Sequence, residues 1–193
     1  MKSNGSRKKT ITLLIVIAVI LIIGGYIWNT YNKLITVSEE ADNQWAQVET
    51  QYQRRFDLIP NLVESVKGVM DQEKEVFLGI ADARTKYSGA SNVSEKAAAA
   101  GEVESALGRL LVVMENYPDL KSSENVTNLM TQLEGTENRV SVERKRFNDS
   151  IKGYNLMTKR VPARWIAGMF GFEEKSYFES VEGSEEVPQV NFE

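Results

Sequence analysis

The sequence predicts an all-α membrane protein: an N-terminal transmembrane helix that continues into a long antiparallel four-helix bundle. Three observations predict it. The run from Thr10 to Asn32 carries no charged residue, and Ile11–Ile23 is almost unbroken Ile, Leu and Val. Beyond that run, apolar residues recur at steps of three and four, the period of a helix with one buried stripe. Between Leu34 and Lys159 the chain is rich in Ala, Leu, Glu, Lys, Gln and Val, and proline is scarce (four in 193 residues), which favours helix over strand.

Two absences narrow the function. The chain has no Cys and no His. That excludes disulfides, thiol nucleophiles and thiolate metal sites, together with the commonest general base and metal ligand. A di-iron bundle site, which needs Glu with His three residues on, cannot be built. Acidic pairs such as Asp71/Glu75 and Glu173/Glu174 lack the spacing of a Ca²⁺ loop and the contrasting environments of an acid–base pair, so they read as solvated faces. The expectation is a protein that is not an enzyme and uses no cofactor or metal. Charge is also uneven. Lys2, Arg7, Lys8, Lys9 and Lys33 fall within the first 33 residues, and none of the 27 acids does. The strongly acidic remainder would repel nucleic acid, so no nucleic-acid partner is expected.

Residues 1–9 form a basic flank and residues 10–30 the transmembrane helix. About 20 residues cross a hydrocarbon core of about 30 Å. Tyr26, Trp28 and Tyr31 mark the aromatic belt at its far end, so membrane lipid is the first expected partner. Basic residues before the span and Glu39, Glu40 and Asp42 after it place the N-terminus in the cytoplasm and the rest on the extracytoplasmic side of the cell membrane. The rival is a cleaved signal peptide. Only Gly24–Gly25 approach a cleavage signal, and a retained anchor is preferred.

The bundle is expected over residues 31–172. Leu34, Val37, Ala41, Trp45, Val48, Tyr52 and Phe56 give a first amphipathic helix that continues the span. A turn is expected at Arg54–Asn61, with Asp57 capping a second helix and Pro60 in its first turn. That helix uses Leu62, Val66, Val69, Val76, Ile80, Ala83 and Tyr87. Ser94 caps a third helix carrying Ala100, Val103, Leu107, Leu110, Met114 and Tyr117, which Pro118 stops. A fourth begins at Ser122 or Ser123, carries Val126, Leu129, Leu133, Val140, Phe147, Ile151 and Tyr154, and ends near Lys159 before Pro162. Helices of about 25–38 residues with short connections favour an up-down arrangement.

Tyr31-Asn32-x-Leu34, Trp45, the run Tyr52-Gln53-Arg54-Arg55-Phe56-Asp57-Leu58-Ile59-Pro60-Asn61-Leu62-Val63 and Val66-Lys67-Gly68 resemble the LemA family. So do Glu137-Asn138-Arg139, Arg146-Phe147-Asn148, Tyr154-Asn155, Phe170-Gly171-Phe172 and Tyr177-Phe178. The resemblance covers nearly the whole chain, and Arg54–Val63 is its most specific part. It implies an N-terminal membrane helix and a helical-bundle domain with no established enzymatic activity. Some members carry the N-terminus outside, so it leaves open the opposite topology.

Candidate interaction or structural motifs follow. Arg54, Arg55, Asp57, Pro60 and Asn61 are either a knuckle for a partner or, preferably, a capped turn whose arginines suit a helix C-terminus. Trp165, Phe170 and Phe172, with Ile166 and Met169, lie beside Lys159, Arg160 and Arg164. This stretch either lies on a membrane or partner surface or, slightly preferred, folds back to close one end of the bundle. Glu73 and Arg144 occupy seam positions, where they form a buried pair or, preferably, snorkel to water. The steps Tyr31-Asn32, Phe147-Asn148 and Tyr154-Asn155 place an aromatic in the core and an amide for inter-helix hydrogen bonds. Residues 173–193 read as an acidic, largely disordered tail. The function expected is a membrane-anchored scaffold or adaptor for envelope protein partners. The alternative is a self-assembling homo-oligomer that organises or remodels membrane.

Overall fold

The computed structural model describes residues 4–70 and 73–179, and every regular element among them is helical. In chain order these are α1 (Asn4–Lys67), α2 (Lys74–Gly89), α3 (Val93–Met114), α4 (Pro118–Lys121), α5 (Glu124–Lys159) and α6 (Ala163–Met169). The chain divides into two compact units. One comprises Met1–Asp42 with Ser150–Lys175, the other Asn43–Asp149 with Ser176–Glu193.

Helix α1 corrects the expected turn at Arg54–Asn61. It runs for 64 residues with Pro60 in its interior. A proline there removes a backbone hydrogen bond and costs about 3 kcal/mol. What offsets this is one unbroken stripe: Tyr52, Phe56, Ile59, Leu62 and Val66 are all buried. Each such side chain contributes roughly 1.5–3 kcal/mol on burial, so packing on both sides of Pro60 outweighs the local defect. Asp57, expected as a cap, instead accepts from Gln53 Nε2 at 2.9 Å along the helix surface.

The helix ends at Gly68. Val69 N–H and Met70 N–H both donate to the Val66 carbonyl at 3.1 Å, and Met70 is fully buried, pinning the turn. Val69, expected in the core, is 57% exposed. The second helix is thus displaced to Lys74–Gly89 and shortened to 16 residues. Its buried residues, Ile80, Ala83 and Tyr87, belong to the expected stripe.

The cap of the third helix lies two residues before the expected one. Asn92, not Ser94, is extended and accepts from Glu95 N–H at 2.9 Å, while the Glu95 carboxylate accepts from Ser91 N–H at 2.8 Å. This is a reciprocal capping arrangement of the capping-box type, and it draws the Glu95 carboxyl below the usual range. Ala97, Ala99 and Ala100 are buried and let α3 pack closely on α2. Pro118 opens the short α4 rather than merely stopping α3. The start and end of α5 agree with the expected fourth helix, with Thr127 N–H donating to the Ser123 carbonyl at 2.9 Å.

In the unit containing the N-terminal segment, Ile11, Leu14, Ile20 and Ile22 are 57–71% exposed. By length and composition this stretch is a candidate membrane span. Further along α1, Leu34 is fully buried beneath Ile166 and Ala167 of α6, with Ile27, Met157 and Phe172 around them. Helix α6 ends in a reversal that needs Gly171. Its φ is +74°, and Phe172 N–H donates back to the Ala167 carbonyl at 2.9 Å. That left-handed residue after the helix is far easier for glycine than for any side chain.

Residues 173–179, the start of the expected disordered tail, are extended and anchored in their respective units. Phe178 is buried. The remainder of that tail lies outside the described residues.

Candidate functional site

In the unit built on Asn43–Asp149, a group of charged side chains is withdrawn from water. Arg55 of α1 is 8% exposed, pairs with Glu137 of α5 and stands 4.0 Å from Glu104 of α3. Arg144 of α5 donates through Nη2 to both the Glu104 carboxylate and the Tyr52 hydroxyl. The Tyr52 hydroxyl in turn donates to Glu104 Oε1 at 3.5 Å. The Arg144 guanidinium also lies over two rings, 5.3 Å from the centroid of Tyr52 and 4.7 Å from that of Phe178, where ring quadrupoles favour a cation. Aromatic packing surrounds it: Tyr52 and Tyr87 lie 5.2 Å apart, Phe56 and Tyr87 4.7 Å, Trp45 and Phe147 5.2 Å.

Electrostatics follow from this enclosure. Burial pushes the Tyr52 phenol well above its ordinary range, opposed by Arg144 and reinforced by Glu104. Burial does the same to Tyr87, with Glu49 adding to it. Burial lowers the Arg55 pKa against the pull of Glu104 and Tyr52. For Arg144 burial also acts downward, but Tyr52 and Glu104 outweigh it and the pKa is raised. Both guanidiniums remain cationic, since arginine does not deprotonate in proteins. Two cations facing two carboxylates neutralise one another and tie α1, α3 and α5 together.

This corrects two expectations. Arg144 is paired, but with Glu104 rather than Glu73. Glu73 instead stands at the N-terminus of α2. Arg54 and Arg55 do not form one knuckle: Arg55 is interior, while exposed Arg54 lines a surface cleft with Leu58, Thr136 and Arg139. Pro60 and Asn61 are exposed, and the Asn61 carbonyl accepts from Ser65 Oγ at 2.7 Å. Glu104 and Glu137 were not singled out. The available signal was that Glu104 directly follows the buried stripe residue Val103, and that Glu137 lies within the family-like run.

The amides beside the core aromatics also have unexpected partners. They hold extended backbone rather than another helix. Asn148 exchanges two hydrogen bonds with Phe178, at 2.9 and 2.8 Å, and in the other unit Asn155 exchanges two with Lys175. Tyr154 OH donates to the Glu173 carbonyl at 2.8 Å, and Lys175 Nζ reaches Asp42 at 2.5 Å.

The same unit holds α6, which has two unlike faces. Ala163, Ile166 and Ala167 are buried, whereas Trp165 is 68% and Met169 70% exposed. The Tyr31 ring meets Phe170 at 4.7 Å and Phe172 at 5.9 Å. Of the three aromatics singled out from sequence, Phe170 and Phe172 therefore share one neighbour, Tyr31, and Trp165 is exposed. Lys159 pairs with Glu174 at 2.7 Å, while Arg160 and Arg164 are exposed. Among the described residues, no three acidic side chains gather as a metal site requires.

Comparison with known proteins places this arrangement in a family. Magnetosome protein MamQ 2 of Paramagnetospirillum magneticum is 28% identical, over 77% of this chain and 64% of that protein. Magnetosome protein MamQ of Magnetospirillum gryphiswaldense is 27% identical with the same coverage. The chain thus matches a little under two thirds of the length of these relatives. The LemA family model matches residues 44–192, a stretch that includes the Arg55–Glu104–Arg144 cluster and α6. The chain belongs to the LemA family.

Proposed function

We propose that this protein is a non-enzymatic, membrane-anchored scaffold or adaptor, whose helices form an antiparallel four-helix bundle that presents its surface to envelope protein partners. The observation that supports it most is the character of α1. One uninterrupted helix carries an exposed segment long and apolar enough to cross a bilayer, then a buried stripe suited to packing against other helices. The internally neutralised Arg55–Glu104–Arg144–Glu137 cluster fits a module whose job is to hold shape, leaving exposed polar surface for recognition.

Charge asymmetry about the span supports an extracytoplasmic bundle with the N-terminus inside. The chain has no native Cys, so single replacements S6C and S91C in otherwise intact protein report sidedness directly. In intact cells, a membrane-impermeant thiol reagent should label S91C alone. Labelling of S6C alone reverses the topology and turns the search to cytoplasmic partners. Site-specific photo-crosslinkers on the exposed faces of α2 and α3 test the scaffold role. Adducts that recur at neighbouring positions and vanish from distant ones support it, and an absence of adducts at every position rejects it.

A second reading is self-assembly. It is favoured by Val112, 66% exposed, next in sequence to Leu111, which with Met114, Val126 and Met130 forms the apolar part of a cleft edged by Glu115 and Glu134. Its readout is particle mass in a mild detergent. A value well above the 21.7 kDa protomer supports it, and a protomer-sized particle removes it.

A further inference from the structure

We infer that the exposed face of α6 is a membrane-interface element: Trp165, Met169 and Phe170 enter the headgroup–acyl boundary beside the end of the transmembrane span, and Arg160 and Arg164 meet anionic phospholipid headgroups. The inference rests on the reading of α1 as a membrane span.

The position of α6 along α1 carries the argument. A span that begins near Thr10 and needs about 20 residues leaves the hydrocarbon core near Asn29 or Thr30. Helix α6 and its flanks pack on α1 at this height: Ile27 and Leu34 meet the Ile166–Ala167 cluster, and Tyr31 meets Phe170. Trp28, one residue beyond Ile27, is 73% exposed, as expected of an interfacial aromatic with lipid for a neighbour.

A helix fixed at that level has two environments to satisfy. One face of α6 is already used: Ala163, Ile166 and Ala167 are buried, the last two clustered with Leu34 of α1. The other keeps Trp165 (68%), Met169 (70%) and Phe170 (49%) exposed, and Val161 just before the helix is 65% exposed. In water such a group of large apolar side chains is unfavourable, while at the bilayer boundary the same side chains lose their contact with water. Charge agrees. Lys159 is engaged by Glu174, but Arg160 and Arg164 are exposed, and long cationic side chains at this depth extend to headgroup phosphates. Its place beside the end of the α1 span favours a bilayer over a protein partner as its occupant.

The test uses the full-length chain, with single cysteines carrying an environment-sensitive fluorophore, in phosphatidylcholine–phosphatidylglycerol vesicles with or without acyl chains brominated near the headgroup. I20C probes the span, E40C supplies the water-exposed reference in the same unit, and M169C probes α6. The expected result is blue-shifted emission at M169C, with brominated-lipid quenching within about twofold of that at I20C and far above E40C. Quenching at I20C with water-like emission at M169C overturns the inference and leaves the anchor intact. Blue-shifted but unquenched emission at M169C means that protein covers the face, which also overturns it. No quenching at I20C removes the span, and the inference falls with it.

Discussion

The side-chain amide of Asn155 holds the backbone of Lys175 at two points: Nδ2 donates to the Lys175 carbonyl at 2.8 Å, and the Lys175 N–H donates to Oδ1 at 2.9 Å. Asn148 treats Phe178 in the same way. The two asparagines are seven residues apart on α5 and the residues they hold are three apart. Each amide thus offers an extended segment the donor and acceptor of a neighbouring strand.

Asn155→Ala should cost about 1–3 kcal/mol, because it leaves a partly buried backbone donor and acceptor unmade. Limited trypsin digestion checks it through the Lys175 bond. Cleavage there should be slow in the parent protein and several-fold faster in the variant. Equal rates mean the amide clasp does not hold the segment.

Glu104→Gln should destabilise the unit by about 2 kcal/mol, below the 3–5 kcal/mol of a fully buried pair because Glu104 is 31% exposed in its side chain. Arg144→Met should act similarly, and the two changes together should cost less than their sum. A double-mutant cycle on urea denaturation measures the coupling. Strict additivity places the Arg144–Glu104 contact outside the energetics of folding.

Stability should fall in alkali. Tyr52 and Tyr87 have folded-state pKa values raised above the ordinary phenol value of 10.0, burial being the main cause. A raised pKa favours the folded state fully below the unfolded value, and this contribution is lost as pH rises through the folded one. Melting temperature should therefore hold steady from about pH 8 to about pH 10 and drop beyond. Tyr87→Phe gives the cleaner comparison, since the Tyr87 hydroxyl is buried with no hydrogen-bond partner among the described residues. That variant should match or exceed the parent in stability near neutral pH and show a shallower alkaline decline.

Pro60→Ala decides between two structures by its sign. In the interior of α1 the change restores a backbone donor toward the Phe56 carbonyl and should stabilise by about 1–3 kcal/mol. At the first turn of a separate helix it would be neutral or destabilising. Thermal unfolding followed by circular dichroism reads the difference.

The apolar stripes were legible in the sequence because burial imposes the helical period: Leu34, Ala41, Val48, Tyr52 and Phe56 on α1 and Val140, Phe147, Ile151 and Tyr154 on α5 are all core residues. Boundaries were not, because local signals compete with packing. Asp57 and Pro60 look like a helix start, yet the stripe through Ile59 and Leu62 carries the helix past them. The true break follows Lys67 at Gly68, a glycine stop masked by the apolar pattern that runs on to Val69, and Met70 fixes it through burial that only the tertiary structure supplies. At the candidate site, Arg55 and Arg144 were visible as charges at or beside apolar positions. Their partners Glu104 and Glu137 resemble any solvated helix acid until the helices are brought together. The backbone role of Asn155 was hidden for a similar reason, since its partner comes from a segment whose composition suggests disorder.

The pairing of Lys175 with Asp42 spans 133 positions of sequence, and the cover of Leu34 by Ile166 and Ala167 is comparably remote. Contacts of such high contact order form late, because a long stretch of chain must be closed before they repay its entropy. During synthesis, Ile27, Tyr31 and Leu34 emerge long before their covers exist. A chain interrupted before α6 would keep its apolar N-terminal segment and leave Leu34 without that cover. Quality control able to sense exposed Leu34 would then distinguish a finished molecule from a truncated one.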